Sequence, residues 1–173
     1  MPPGRINAQK RPNTLSILYD NMIGPLAPAA LRGVIWYQGE SNADDPSRYA
    51  RLFPLMIRDW RRAFRRSALP FFFVQLANYM ASQKEPVERG WAELREAQSM
   101  ALREPQTGMA VAIDIGEEKD IHPKNKQDVG RRLAFAALAQ VYGLRVPPSG
   151  RFTSHIESRT EGSVWSSLTL MAG

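Results

Sequence analysis

The 173-residue sequence contains no cysteine and only two histidines. Without thiols there is no disulfide scaffold, and a zinc centre would have to be built almost wholly from carboxylates. The missing cysteine is compatible with any redox compartment. No apolar run approaches the ~20 residues that span a bilayer, so no membrane insertion is expected. The longest such run, residues 69–77 (LPFFFVQLA), is interrupted by Pro70 and Gln75. The opening MPPGRINAQK has no apolar core behind its charges and does not read as a signal peptide. There is no glycine-rich phosphate loop, no internal repeat and no low-complexity tract, and neither a metal nor an organic cofactor is expected. What remains is ordinary for one globular domain: 43% hydrophobic and 23% charged residues.

Positive charge is in excess, 23 Lys and Arg against 17 Asp and Glu, and it is concentrated. Arg58, Arg61, Arg62, Arg65 and Arg66 crowd one segment, with Trp60 and Phe64 between them. This is either an anion- or nucleic-acid-binding surface or the solvated face of an amphipathic helix. Leu52, Met56, Ile57, Trp60 and Phe64 fall at helical spacing, which predicts that the aromatics pack inward and cannot stack on bases. Nucleic acid is therefore not the expected partner.

Strand and helix patterns alternate along the chain. Residues 15–23 read as a short helix, 33–38 as a strand, and 46–66 as a long amphipathic helix with a kink or break at Pro54. Residues 69–77 read as a buried strand and 87–104 as a helix with Trp91, Leu94, Ala97 and Ala101 in one stripe. A third strand covers 108–115, and a last helix opens at Pro123 and stops at Gly143. This order predicts an α/β fold, a three-layer parallel sheet with helices on both faces. In such sheets ligands bind beyond the carboxyl ends of the strands. The residues after each strand are thus the candidates for chemistry.

After the third strand comes DIHPKNKQ, with His122 beside Asp120 and Pro123. An imidazole there can take a proton from a nucleophile and return it to a leaving group, with a carboxylate holding its tautomer. Asp114 is a second candidate for that carboxylate. After the first strand comes WYQGESN, residues 36–42. The Gln38 amide can point at a developing oxyanion, Gly39 permits close backbone approach, and Glu40 can bind a neighbouring loop or a sugar hydroxyl. Ser41, Asn42, Asp44 and Asp45 also suit a turn and a helix cap. A rival reading takes Gly39–Ala43 as a nucleophile elbow with Ser41 attacking, as in α/β-hydrolases.

Four ordered blocks, RGVIWYQGESNA at 32–43, FVQLAN at 73–78, WAELREAQ at 91–98 and DIHPKNKQDVGRRLA at 120–134, resemble the sialate O-acetylesterase family. This is a carbohydrate-esterase branch of the SGNH hydrolases. The resemblance implies a flavodoxin-like fold and a serine that attacks the acetyl ester of a sugar, sialic acid or a related one. It implies His122 as base, Asp120 as its orienting acid and Gln38 as oxyanion donor. Gly39, Glu40, Asn42, Trp36 and Asn78 are implied as supporting or substrate-facing residues. An exported protein is the corresponding expectation.

Two departures stand out. Lys119 occupies the position where the wider SGNH pattern has its acid, three residues before the histidine. No block resembling the family's GQSN nucleophile segment is present, so the expectation is a fragment, incomplete at the N-terminus and inactive by itself. Within it, 1–17 would be the remnant of an interior loop and 18–146 the later part of the catalytic domain. Residues 147–173 would be a linker and an irregular tail, read out of frame from near His155.

Overall fold

The computed structural model describes residues 16–81 and 90–146, together with the backbone of 152–154. Residues 17–26 wind through a short π-helical turn, Tyr19–Ile23, and a 3-10 turn, Gly24–Leu26. Four strands then form one sheet in the order β1 (Val34–Trp36), β2 (Phe71–Gln75), β3 (Thr107–Val111) and β4 (Phe152–Ser154). The first three run parallel, with Trp36 opposite Phe73 and Phe73 opposite Met109. Three helices flank them: α1 (Pro46–Ala63), α2 (Gly90–Met100) and α3 (Lys126–Gln140).

Side chains of β2 alternate between two cores, because successive residues of a strand point to opposite faces. Phe71 and Phe73 pack with Tyr49, Phe53 and Ile57 of α1 and with Trp91, Leu94 and Ala97 of α2. Phe72 and Val74 pack with Val129, Leu133 and Ala136 of α3 on the other face. The sheet is thus sandwiched, which is why β2 reads as an almost unbroken apolar run.

Several expectations change. α1 continues through Pro54 without a break, its turns on either side anchored by Phe53 and Ile57 in the core. Leu52 is off the buried stripe, at 47% exposure, because the stripe follows Tyr49, Phe53, Ile57 and Arg61. Trp60 and Phe64 do pack inward, Trp60 edge-on to Trp36 and Phe71. α3 begins at Lys126 rather than at Pro123, because Asn125 caps it by accepting a hydrogen bond from the Asp128 N–H. The sheet is not wholly parallel: β4 pairs antiparallel with the far edge of β3, so part of the expected irregular tail is a strand. Residues 1–15, and the rest of the tail with His155, lie outside the described residues.

The arginine cluster is largely consumed by the fold. Arg61, 4% exposed, donates to the carbonyls of Leu69 and Pro105. Arg58 forms a two-pronged pair with Glu104, and Arg66 bonds the Leu31 carbonyl. These three guanidiniums bind the chain to itself.

Candidate functional site

The carboxyl ends of β1, β2 and β3 open on one rim, and each is followed by a loop carrying candidate residues. β1 leads through Tyr37 and Gln38 to Gly39, whose φ of 152° suits glycine alone. A Cβ at Gly39 would point inward, 3.2 Å from Gln98 Nε2 and 3.5 Å from Leu76 and Leu94 side-chain carbons. Gly39 therefore serves the turn and its packing on α2. The chain then makes a 3-10 turn, Glu40–Asn42, before Asp45 caps α1 through the Arg48 N–H. That bond, and a second from the Ser47 hydroxyl, hold the Asp45 carboxyl below the usual aspartate range.

Gln38 is half-buried and its Nε2 donates to Asn42 Oδ1 at 2.7 Å. A primary amide carries two N–H groups, so the second remains to meet a substrate oxygen. Tyr49, whose phenol burial pushes up to about 12, lies with its oxygen 3.4 Å from the Gln38 carbonyl. Burial, and secondarily Glu40, raise the Tyr37 phenol as well. Trp36 stands edge-on to Trp60 at 5.6 Å in the α1 layer.

The loop after β3 carries His122, with a side chain 84% exposed. Asp120 Oδ1 accepts the His122 backbone N–H at 2.9 Å and lies 3.6 Å from its Nδ1. The carboxylate thus fixes the backbone of His122 and stands beside its ring without a hydrogen bond to it. Asp114, the other candidate, makes a two-pronged pair with Arg132 of α3 at 2.6 and 2.8 Å. Arg132 also donates to the Val111 carbonyl at the end of β3.

Three tethers gather these loops. Asn78 Oδ1 accepts the Gly116 N–H at 2.7 Å, and the Met80 N–H reaches the Glu118 carbonyl at 3.0 Å. Lys126, four residues after His122, holds its ammonium 4.7 Å from the centroid of the Tyr37 ring, next to Gln38. Asn78 therefore ties the segment after β2 to the segment after β3. A cavity of about 380 Å³ beside Ala43, Asp44, Met80, Gly90 and Trp91 opens on the same rim.

Ser41 does not fit an elbow. It sits in the 3-10 turn with negative φ, and four residues separate it from α1, whereas an elbow serine occupies a strained turn leading straight into a helix. Among the described residues no group of His, Asp and Glu is arranged to hold a metal ion, and no helix is long and apolar enough to cross a membrane.

The family described as carbohydrate esterase, sialic acid-specific acetylesterase, matches residues 6–139. The sialate O-acetylesterase of Mus musculus is 40% identical over 150 residues, covering 76% of this chain and 27% of its own length. The Homo sapiens sialate O-acetylesterase is 36% identical, with 76% and 28% covered. A crystal structure described as a novel carbohydrate acetylesterase from Xanthomonas citri superposes with a TM-score of 0.70 at 51% identity, covering 75% of this chain and 30% of that one. The chain thus spans less than a third of the length of these relatives.

Proposed function

From the premise that this chain belongs to the carbohydrate esterase family of sialic acid-specific acetylesterases, we propose that it supplies the base and the oxyanion donor for hydrolysis of an O-acetylated sugar. His122 takes the proton of an attacking hydroxyl and delivers it to the departing sugar oxygen. The Gln38 N–H that Asn42 does not engage donates to the carbonyl oxygen as negative charge collects there. Asn42 holds that amide in orientation, and Asp120 stabilises the imidazolium from 3.6 Å. The attacking serine is assigned to no residue of this chain. The substrate is an acetylated sialic acid or a close relative, as the names of the related enzymes suggest.

The observation that supports this reading most is the contact between Lys126 and Tyr37, which brings the loops bearing His122 and Gln38 to one rim. The test grafts this chain in place of the matching segment of the Xanthomonas citri enzyme and measures acetate release from an O-acetylated sialic acid and from 4-nitrophenyl acetate. The graft is expected to turn over and His122→Ala to abolish turnover. Gln38→Ala should cost about 10²–10³-fold in kcat, the usual loss for one oxyanion donor. Ser41→Ala should stay within about twofold, as for a surface residue. A Gln38→Ala graft as active as its parent overturns the assignment. The 173-residue polypeptide alone is expected to release no acetate in a His122-dependent manner.

A further inference from the structure

We propose that Gln98, on the inner face of α2, is a positioning residue that fixes the peptide from which the Gln38 amide projects. Gln98 is 1% exposed among apolar neighbours such as Leu94 and Ala97. A primary amide is costly there unless its polar atoms are partnered. All three partners belong to strand ends. Its Oε1 accepts the Leu76 N–H at 2.9 Å, and its Nε2 donates to the carbonyls of Gln38 at 3.1 Å and Val74 at 3.3 Å. β1 ends at Trp36 and β2 at Gln75, so the Gln38 carbonyl and the Leu76 N–H lie beyond the ladder, and Val74 stands one residue before β2 ends. One neutral side chain with both an acceptor and two donors meets the need, and glutamine has the reach.

Gly39 completes the fit, since a Cβ there would press on Gln98 Nε2. The Gln38 carbonyl is thus held from the core while its side-chain amide is held from the surface by Asn42. With both ends fixed, the free N–H has one direction. Preorganisation of this kind is what makes a donor effective on a developing charge. The inference rests on the reading of Gln38 as oxyanion donor.

The experiment uses the intact chain, isotopically labelled, and follows the two side-chain Nε2 protons of Gln38 by NMR. In the parent they are expected well apart, one being bonded to Asn42. In Gln98→Met they should move together, and Leu76 N–H exchange should quicken by about tenfold for loss of its hydrogen bond. Resonances of Val129 and Met109 should hold. Gln98→Glu supplies a second arm in case the methionine variant does not fold. Its protonated carboxyl can accept from Leu76 and donate to Gln38, so the Gln38 pair should be parent-like at low pH and collapse once the carboxyl ionises. In the grafted enzyme, Gln98→Met should lower kcat by about tenfold or more with KM little changed, the signature of a misplaced transition-state contact. Three outcomes overturn the proposal: a Gln38 pair unmoved in both variants, shifts spread evenly through the core, or an unchanged kcat. Loss of the Gln38→Ala effect would instead overturn the oxyanion assignment, while the NMR result still decides whether Gln98 pins the peptide.

Discussion

Gly39 shows how much one backbone angle controls. At φ 152° any side chain is strained, and the space a Cβ would take is bounded by Gln98, Leu76 and Leu94. Gly39→Ala is expected to cost about 1–3 kcal/mol, the usual range for a strained site, measured by urea denaturation. Tyr49 carries a pH dependence whose direction follows from burial. Its folded pKa, pushed up to about 12, exceeds the unfolded value near 10, so the neutral phenol favours the folded state. That contribution is complete below about pH 10 and fades as pH rises through about 12. Tyr49→Phe should therefore flatten the alkaline limb of a Tm-against-pH curve. Gln38 and His122 stood out in sequence because each lies in the segment between a strand and the helix that follows it. Gln98 did not, since its partners lie 22 to 60 residues away and no spacing rule connects them. The Asp114–Arg132 pair was hidden for the same reason, 18 residues apart.

At the scale of the element, periodicity located the helices well and their ends less well. The stripe Trp91, Leu94, Ala97 and Ala101 is buried as its spacing predicts. The start of α3 moved because a side-chain cap at Asn125 outweighs the rigid ring of Pro123. α1 contains the clearest reversal, for Arg61 reads as part of a solvated face yet occupies the buried stripe. Its carbonyl partners, Leu69 and Pro105, precede β2 and β3, so the guanidinium joins two strand entrances to the helix above them. Removing it strands two acceptors. Arg61→Ala is expected to destabilise the fold by about 2–4 kcal/mol, estimated from one to two unsatisfied buried groups. Arg62→Ala, whose nearest carboxylate is 3.9 Å away on an exposed Asp59, should change stability little. Parallel denaturation of the two variants separates these readings of neighbouring arginines.

For the whole molecule, the parallel pairing of the first three strands and the layering followed from the alternation of patterns, and the antiparallel β4 did not, because its three residues carry no distinctive period. The sheet of the described residues ends at β1, where Ile35 is 68% exposed on the face that α3 leaves uncovered. A bare edge bearing an apolar side chain is a template for strand addition. Ile35→Lys is expected to reduce concentration-dependent association, read by light scattering, while leaving the circular dichroism spectrum unchanged. Unaltered scattering would place the sticky surface elsewhere.

Asn78 and Gly116 meet so closely that a Cβ at 116 would fall 2.2 Å from the Asn78 carbonyl oxygen. The two loops are in effect riveted at that point. A library can therefore vary exposed Lys119 while Asp120 keeps its bond to the His122 N–H, whereas one that varies position 116 should return mostly misfolded chains. A change at Asn78 would loosen the segment that leads to His122 without touching that side chain.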